Sequence, residues 1–437
     1  MKKILYVLLI LISLFIFASC SSEPEKNPTI PPAPGNIPAV PNADTIIKSV
    51  SNEDKVVIKT ILDDLQLIVS QITGEGGKDI FSDPDLSLSG TITVSAPAKS
   101  IKIGEATLQS GALSATLTAN ESGVSLEANT TVKIGTAETK ALSVVFNLVA
   151  MEATIELGED EIVLSDIADD MVVTRNGSLL EDNENVDNDE YDLFLEDMEP
   201  VAIAVLNGLL NATFRYDDFV GSYDIDDVGK VTVTASGIII LNSSLNPTYF
   251  ETDEGSIIKS GSITFNGFDV EVGLDDVTGG LYLDGMTLSV SDVLIANDKD
   301  ADGRTSSTSF KVGLDAKEIS LYLKYGDMVK ANLVIANTDI DATYNFSSET
   351  TFSPYSYESN SVLAMKLSTD IGFGLKVGGN SMGFLTNVSF DCADMDDFDP
   401  EEDLSITPMA ATLNSSYYDP AQFLEALIEA GSETFDD

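Results

Sequence analysis

The sequence predicts a mainly β protein built from long antiparallel meanders, folded as curled sheets or a sandwich, with one amphipathic helix before each meander. Apolar and polar residues alternate through most of the chain after residue 86, which is the period of strands with one buried face. No proline occurs between Pro97 and Pro200, as hydrogen-bonded strands require. Two stretches with helical spacing of apolar residues precede the two meanders.

Residues 1–19 have the features of a secretory signal peptide. Lys2 and Lys3 give a positive start, and residues 4–17 are apolar except for Ser13. An apolar run of this length is too short to cross a bilayer comfortably and has the usual size of a signal-peptide core.

The signal ends at Phe17-Ala18-Ser19-Cys20. Small residues directly before a cysteine resemble the lipobox of bacterial lipoproteins, although Phe17 stands where leucine is usual. The resemblance implies cleavage before Cys20 and its lipidation with acyl chains such as palmitate. We therefore expect a protein of the bacterial cell envelope whose lipid anchors it in the outer membrane. A plain secretory signal whose cleavage leaves a cysteine is the alternative.

Residues 20–44 predict a proline-rich tether between the lipid anchor and the folded part. They contain seven of the 15 prolines in the chain. Such a segment favours extended polyproline II and does not pack a core.

The first folded unit is predicted over residues 45–185, as a helix followed by an antiparallel sheet. Ser51 and Asp54 are spaced like a capping box at the start of the helix. Its apolar stripe consists of Val57, Ile61, Leu65, Ile68 and Ile72.

The second unit is predicted over residues 186–437, as a helix, a larger antiparallel sheet and a short C-terminal helix. Because proline is tolerated in the first turn of a helix, Pro200 predicts that the first of these helices begins near Asp197. Asp419 is the predicted N-cap of the last helix, with Pro420 in the first helical position. The order of elements suggests a duplicated α+β unit.

The composition excludes several classes of function. The chain has no His, so it cannot use imidazole in catalysis or as a metal ligand. It has 72 acidic and 23 basic residues, a net charge of −49, which leaves no basic footprint for nucleic acid. Ser256 and Lys259 match a Ser-x-x-Lys nucleophile pattern, but the Lys-Thr-Gly that accompanies this pattern is missing. We expect a protein that is not an enzyme.

The clearest local motif is the acidic segment from Asn297 to Ser306, which resembles the Asp-x-Asp-x-Asp-Gly calcium loop of EF-hands. The resemblance implies carboxylate ligands from Asp298, Asp300 and Asp302, the carbonyl of Arg304, and Ser306 through a water molecule. The twelfth position is Ser309 instead of a bidentate glutamate, and the flanks predict strands. The segment is therefore either a calcium-binding β-hairpin loop or a solvated acidic turn.

Cys392 is the only cysteine besides Cys20, so no intramolecular disulfide framework is predicted. A buried or free thiol and an intermolecular disulfide are the two alternatives for it.

Two functions fit these features. The first is a lipid-anchored, acidic envelope protein with a non-enzymatic binding, adhesion or structural role, whose partner is an envelope protein, an extracellular protein or a lipid. The second is a periplasmic carrier of lipid or another hydrophobic ligand, since long two-faced strands around a helix resemble tubular lipid-binding proteins. A carrier should contain an elongated apolar cavity, lined by residues such as Phe265, Phe268, Leu321 and Phe373.

Overall fold

The structure is a computed structural model, and it describes most of the chain from residue 87 onward. The described residues are 87–120, 123–147, 150–165, 172–180, 190–225, 229–252, 255–274, 277–299, 303–326, 329–352, 355–377, 380–399, 403–414, 416–423 and 425. The predicted signal peptide, Cys20, the tether and the first predicted helix lie outside these residues.

The protein is mainly β, with one large antiparallel sheet of long strands and few helices, which confirms the predicted fold class. The first ten strands are β1 (Ser87–Ala96), β2 (Lys99–Ile103), β3 (Ala106–Ser110), β4 (Leu113–Asn120), β5 (Gly123–Ile134), β6 (Lys140–Asn147), β7 (Glu152–Leu157), β8 (Asp160–Ser165), β9 (Val172–Arg175) and β10 (Ser178–Leu180). The remaining strands are β11 (Thr213–Ile225), β12 (Gly229–Leu245), β13 (Ile258–Leu274), β14 (Val277–Asp284), β15 (Met286–Lys299), β16 (Gly303–Tyr325), β17 (Val329–Phe352), β18 (Tyr355–Val377), β19 (Asn380–Cys392), β20 (Leu404–Leu413) and β21 (Ser416–Tyr418).

Hydrogen-bonded pairing joins these strands into one sheet. From one edge, β10 to β5 follow one another in reverse chain order, and β4, β1 and β11 come next. The sheet then continues in chain order from β11 to β21, with β14 and β15 end to end between β13 and β16. The hairpin of β2 and β3 attaches to the end of β5. Because β1 pairs with β11, the sheet runs across the boundary predicted at residues 185–186, and the division into two units stays a prediction.

Helix α1 spans Glu190–Leu209, so the predicted start near Asp197 is wrong. Pro200 lies in the helix interior, where it removes a backbone donor at a cost of about 3 kcal/mol. Packing offsets this cost, because Val201, Ala204 and Leu206 are buried against apolar residues of β2, β3 and β5.

Two shorter helical segments and the C-terminal helix complete the described elements. Helix α2 spans Pro247–Thr252, and a 3-10 turn spans Met395–Asp397. The chain is helical again from Pro420, and the Gln422 N–H donates to Asp419 Oδ1 at 3.0 Å, which confirms the predicted N-cap.

The main core lies on one face of β1, β4 and β11 to β14. Ile92 and Ala235 are at most 1% exposed, and Val205 and Leu209 of α1 pack against the same cluster. Alternation in these strands places the core on a single face, as the sequence pattern predicts.

A line of backbone irregularities crosses the sheet, and we call it the crease: it consists of Gly237, Gly267, Gly285 and Asn337. All four have positive φ, at 112°, 54°, 57° and 49°. In β13, Phe265 and Phe268 are three residues apart, yet their rings contact each other at 5.6 Å between centroids. The extra residue at the crease therefore returns the apolar side chains to the same face of the sheet.

Candidate functional site

An apolar strip lies on one face of β16, β17 and β18, beyond the crease. It consists of two rows of directly opposite residues: Ile319, Ile335 and Ile371, and then Leu321, Leu333 and Phe373. The rows arise from strict alternation, since each of these residues is followed by a side chain on the other face.

The second row of the strip is open to solvent. Leu321 is 49% exposed, Leu333 37% and Phe373 37%, whereas the three isoleucines are half-buried. Single exposed apolar residues are ordinary on protein surfaces, but contiguous ones in register indicate an interaction surface.

Two buried cores border the strip. On one side, Ile319 pairs with Leu283, which is 8% exposed and belongs to the main core. On the other side, Phe373 pairs with Phe384, and the ring of Phe423 from the C-terminal helix stacks over Phe384 at 6.4 Å. The strip is thus the uncovered stretch of an apolar face that is covered at both ends.

The four residues expected to line a carrier cavity are divided between a packed core and an open surface. Phe265 and Phe268 pack in the main core, and Leu321 and Phe373 are exposed on the strip. A cavity of about 310 Å³ lies elsewhere, between α1 and the β5 to β9 region, and another of about 390 Å³ lies among polar residues near Ser306.

The opposite face of the sheet carries a buried acidic group, Asp269 of β13, which is 1% exposed. The hydroxyl oxygen of Tyr322 lies 3.1 Å from Asp269 Oδ1 and 3.1 Å from Glu271 Oε2. A tyrosine hydroxyl has one proton and can donate to only one of the two carboxyl groups. A second proton, on one of the carboxyl groups, is therefore needed for both contacts to be hydrogen bonds.

Below about pH 6, the electrostatic surroundings favour that second proton on Asp269. Its pKa is raised to about 6, mainly by burial and in part by the charge of Glu271, while the hydrogen bond from Tyr322 and the charge of Lys324 lower it. Burial, followed by the nearby carboxylates, also raises the pKa of Tyr322 far above its usual range. Oδ2 of Asp269 and Oγ1 of Thr234 are buried without a hydrogen-bond partner.

Three lysines lie side by side at the end of this polar face, and we call them the lysine row: Lys324, Lys330 and Lys376. Lys324 is directly opposite Lys330, and Lys330 is directly opposite Lys376. The ammonium group of Lys324 lies over the ring of Tyr322, 5.1 Å from its centroid. Lys324 follows Leu323, Lys330 precedes Ala331 and Lys376 follows Leu375, so the row lies one residue nearer the strand ends than these three residues.

The predicted calcium residues lie at the hairpin that joins β15 to β16. The positions of Asp298 and Thr305 are directly opposite each other, Arg304 is exposed, and Ser306 is half-buried. The side chain of Asp298 and the whole of Asp300 and Asp302 lie outside the described residues. The described residues contain no group of three Asp, Glu or Cys side chains that could hold a metal ion.

The register adds two carboxylates to this hairpin that the motif did not include. Thr305 is opposite Glu349, and Glu349 is opposite Glu358, so both glutamates share a row with the position of Asp298. Like charges directly opposite each other destabilise a sheet, which is the situation that a bound cation would relieve. The calcium site itself stays a prediction.

Cys392 is buried at 6% exposure, and its thiol donates to the carbonyl of Asp394 at 2.9 Å. Cys392 is thus a buried, free thiol, which is the first of the two alternatives that the sequence left open.

Sequence reasoning did not find the strip as a surface or the lysine row as a cluster. Lys324 and Lys376 are 52 positions apart, and only the strand register makes them neighbours of Lys330. The turn after Tyr325 is the sequence signal that could have placed Lys324 opposite Lys330, because a turn fixes which residues of its two strands are opposite.

Comparison with protein-family models, curated proteins and solved structures gives no match for this chain. Among the described helices, none has both the length and the apolar content needed to span a bilayer.

Proposed function

We propose that this is a non-enzymatic, lipid-anchored protein of the bacterial cell envelope that binds a lipid or a similar hydrophobic ligand on the apolar strip. The exposure of Leu321, Leu333 and Phe373, in register between two buried cores, is the observation that supports the proposal. A lipobox-type signal ending at Cys20 would hold the folded part next to a membrane, where such ligands are abundant.

The size of the strip suits an acyl chain. Across the three strands, the strip measures about 10 Å from the first strand to the third. Along the strands, each further row of half-buried apolar residues lies two positions away and adds about 7 Å. A chain of one bilayer leaflet covers about 15 Å, half the hydrocarbon thickness. Each methylene that leaves water on binding contributes about 0.8 kcal/mol.

The side chains of the strip are Ile, Leu and Phe, which offer apolar contact and no reactive group, so the strip suits binding. The open strip resembles a surface on which a ligand lies, and its two covered ends would limit how far the ligand extends.

Lipid binding can be tested on the full chain with native mass spectrometry and a fluorescent fatty-acid probe. We expect bound lipid after gentle purification, and saturable probe binding that palmitate displaces. In the variant Leu321→Gln/Leu333→Gln/Phe373→Gln, probe affinity should fall at least tenfold, because about 1 kcal/mol of apolar contact is lost at each position.

Leu294→Gln/Ile406→Gln is the matched control. These residues are 54% and 52% exposed and lie away from the strip, so their replacement should change probe affinity less than twofold. Absence of lipid in the mass spectra together with absence of probe binding would refute the proposal.

A further inference from the structure

Helices cover the sheet on both sides of the strip, on the face to which the strip belongs. On one side, Val205 and Leu209 of α1 pack against the main core that borders the strip. On the other side, Phe423 of the C-terminal helix is fully buried and packs against Phe384. Packed helices lie about 8–10 Å apart, and the strip is about 10 Å wide across its three strands. The strip therefore has room for one more helix.

The helix predicted before the first meander has an apolar stripe that needs a partner. The stripe lies outside the described residues and consists of Val57, Ile61, Leu65, Ile68 and Ile72. At a rise of 1.5 Å per residue, its five residues extend over about 22 Å of helix. An amphipathic helix gains its stability by burying such a stripe against another apolar surface.

The chain that follows this stripe is long enough to reach the strip. Residues 73–86 separate Ile72 from Ser87, and a stretch of this length spans about 50 Å when extended. Ser87 lies in the same row across the sheet as Lys324, which is three residues from Leu321 along β16. From β1 to β16 this row measures about 24 Å, at about 4.8 Å per strand. The segment thus joins the sheet at the strand ends nearest the strip.

Charge favours the strip over a membrane surface as the partner of the stripe. Residues 51–73 contain four acidic and two basic residues, a net charge of −2. Helices that lie on anionic membranes instead carry Lys and Arg on their polar side. The two rows of the strip contain only Ile, Leu and Phe, so they offer apolar contact without repelling this segment.

We propose that the predicted helix of residues 51–73 packs its apolar stripe on the strip, between α1 and the C-terminal helix. The inference concerns a contact within the chain and does not depend on lipid binding. It implies that a lipid reaches the strip in exchange for this segment, because both use the same surface.

Cysteine labelling of the full chain tests whether the strip is covered. Leu333→Cys and Leu294→Cys place thiols where the side chains are 37% and 54% exposed. A maleimide should label position 333 about tenfold more slowly than position 294, because the thiol reacts only when the segment opens. Mass spectrometry of the two peptides measures the rates. Rates that agree within about threefold, as exposure alone predicts, would overturn the inference.

Ile61→Glu/Leu65→Glu/Ile68→Glu separates the segment from a bound lipid as the cover. Glutamate has a helix propensity close to that of leucine, but a carboxylate does not pack on an apolar surface. Labelling of position 333 should therefore become about tenfold faster in this variant. Slow labelling that persists would overturn the inference, since the cover would then be lipid.

Lys59→Gln/Gln66→Glu/Ser70→Glu is the charge-matched control. These three residues lie on the side of the predicted helix away from the stripe, and each change lowers the charge by one, as in the stripe variant. This variant should keep the slow rate at position 333. Equal acceleration in both variants would overturn the inference, because added charge alone would explain it.

Photo-cross-linking reports the contact directly and separates the strip from the membrane. With benzoylphenylalanine in place of Leu65, the full chain in phosphatidylcholine vesicles should form cross-links to peptides of β16, β17 or β18. Cross-links to phospholipid without any to these strands would overturn the inference, because the segment would then lie on the membrane.

The fatty-acid probe distinguishes this inference from the proposed function. The stripe variant should bind the probe more tightly than wild type, because the strip is then open in a larger fraction of molecules. Probe binding with fast labelling of position 333 in the wild-type background would overturn the inference and leave the proposed function intact. The expected labelling pattern without probe binding in any variant would support the inference and overturn the proposed function.

Discussion

At the scale of single residues, Asp269 shows how the fold sets the chemistry of a side chain. It lies on β13, directly opposite Ser236 of β12 on one side and Tyr282 of β14 on the other. Its neighbours bury it, and the hydrogen bonds from Tyr322 and from the backbone of Val270 offset only part of the cost of that burial. The protonated form of Asp269 is therefore more favoured in the folded state than in the unfolded chain.

This arrangement predicts a specific pH dependence of stability. The pKa of Asp269 is 3.8 in the unfolded chain and about 6 in the folded protein, so its contribution to stability is fully present below pH 3.8 and is lost as pH rises through about 6. Asp269→Asn should remove up to about 3 kcal/mol of this pH-dependent change, at about 1.4 kcal/mol per pKa unit. Urea unfolding of both proteins between pH 4 and pH 8 measures the difference.

The control for this prediction is Asp315→Asn, a change at an exposed carboxyl of β16. The free energy of unfolding of this variant should follow the wild-type pH profile. Parallel pH profiles for wild type and Asp269→Asn would show that Asp269 does not titrate near pH 6.

Gly237 is the residue of the crease where a side chain fits least. A Cβ atom there would lie 2.4 Å from the carbonyl oxygen of Gly267, and φ is +112°. The rings of Tyr216 and Phe268 meet edge to face at 5.5 Å beside this position. The missing side chain thus allows close approach of the backbones and contact between the two rings.

We expect Gly237→Ala to destabilise the protein by about 3 kcal/mol or more, from backbone strain and overpacking. Gly273→Ala is the matched control in the next strand, because a Cβ atom there meets nothing closer than 3.9 Å. Chemical unfolding at one pH should show a large decrease for the first variant and less than about 1 kcal/mol for the second. Similar values would mean that the crease tolerates a side chain.

At the scale of elements, the hairpin between β15 and β16 gathers acidic positions from three strands. Asp298 belongs to β15, Glu349 to β17 and Glu358 to β18. Their positions lie in one row across the sheet, with Thr305 of β16 between Asp298 and Glu349. Carboxylate oxygens are the kind of ligand that a hard cation such as calcium prefers.

Calcium should therefore raise the melting temperature in low salt. At 100 times its dissociation constant, it would add about 2.7 kcal/mol to the free energy of unfolding. Asp300→Asn/Asp302→Asn should lose this response, while Asp339→Asn/Asp341→Asn, at exposed positions of β17, should keep it. Differential scanning calorimetry with calcium chloride, against sodium chloride of equal ionic strength, makes the measurement; no shift in wild type would identify the loop as a simple turn.

Elements were predictable where the pattern is local. The alternation of Leu113, Ala115, Leu117 and Ala119 matches β4, and the Asp419 cap begins the last helix. Helix α1 differs because its packing against the sheet outweighs the local preference of Pro200. The crease was not predictable, since its effect depends on irregular residues in β12, β13 and β17 and at the junction of β14 with β15 lying at matching positions.

At the scale of the whole molecule, charge sets the balance of stability. The net charge is −49, and the described ion pairs, such as Arg175 with Asp160 at 3.1 Å, offset only a small part of it. Repulsion among the remaining carboxylates opposes the compact state.

The melting temperature should therefore rise as sodium chloride increases from 0.01 M to 0.15 M, because the Debye length falls from about 30 Å to about 8 Å. Sodium chloride and choline chloride should act alike, which separates screening from specific cation binding. A melting temperature that falls with either salt would mean that ion pairs, and not repulsion, dominate.

The fold class followed from the sequence, but the candidate surface did not. Alternation assigns Leu321 and Phe373 to an apolar face, yet it does not say whether another element covers that face. Whether Phe384 is covered by Phe423 while Phe373 stays open depends on tertiary packing, which no local pattern encodes.

Among the described strands, β10 and β21 come last at the two sides of the sheet, and each is only three residues long, whereas interior strands such as β17 reach 24. Exposed strand margins are where sheet proteins add further copies of themselves and grow into fibrils. On one side, β10 offers few unpaired backbone groups to a second molecule; on the other, β21 pairs only with Ala411–Leu413 and leaves the rest of β20 as a longer margin. The side that ends at β10 is therefore the poorer template for amyloid growth.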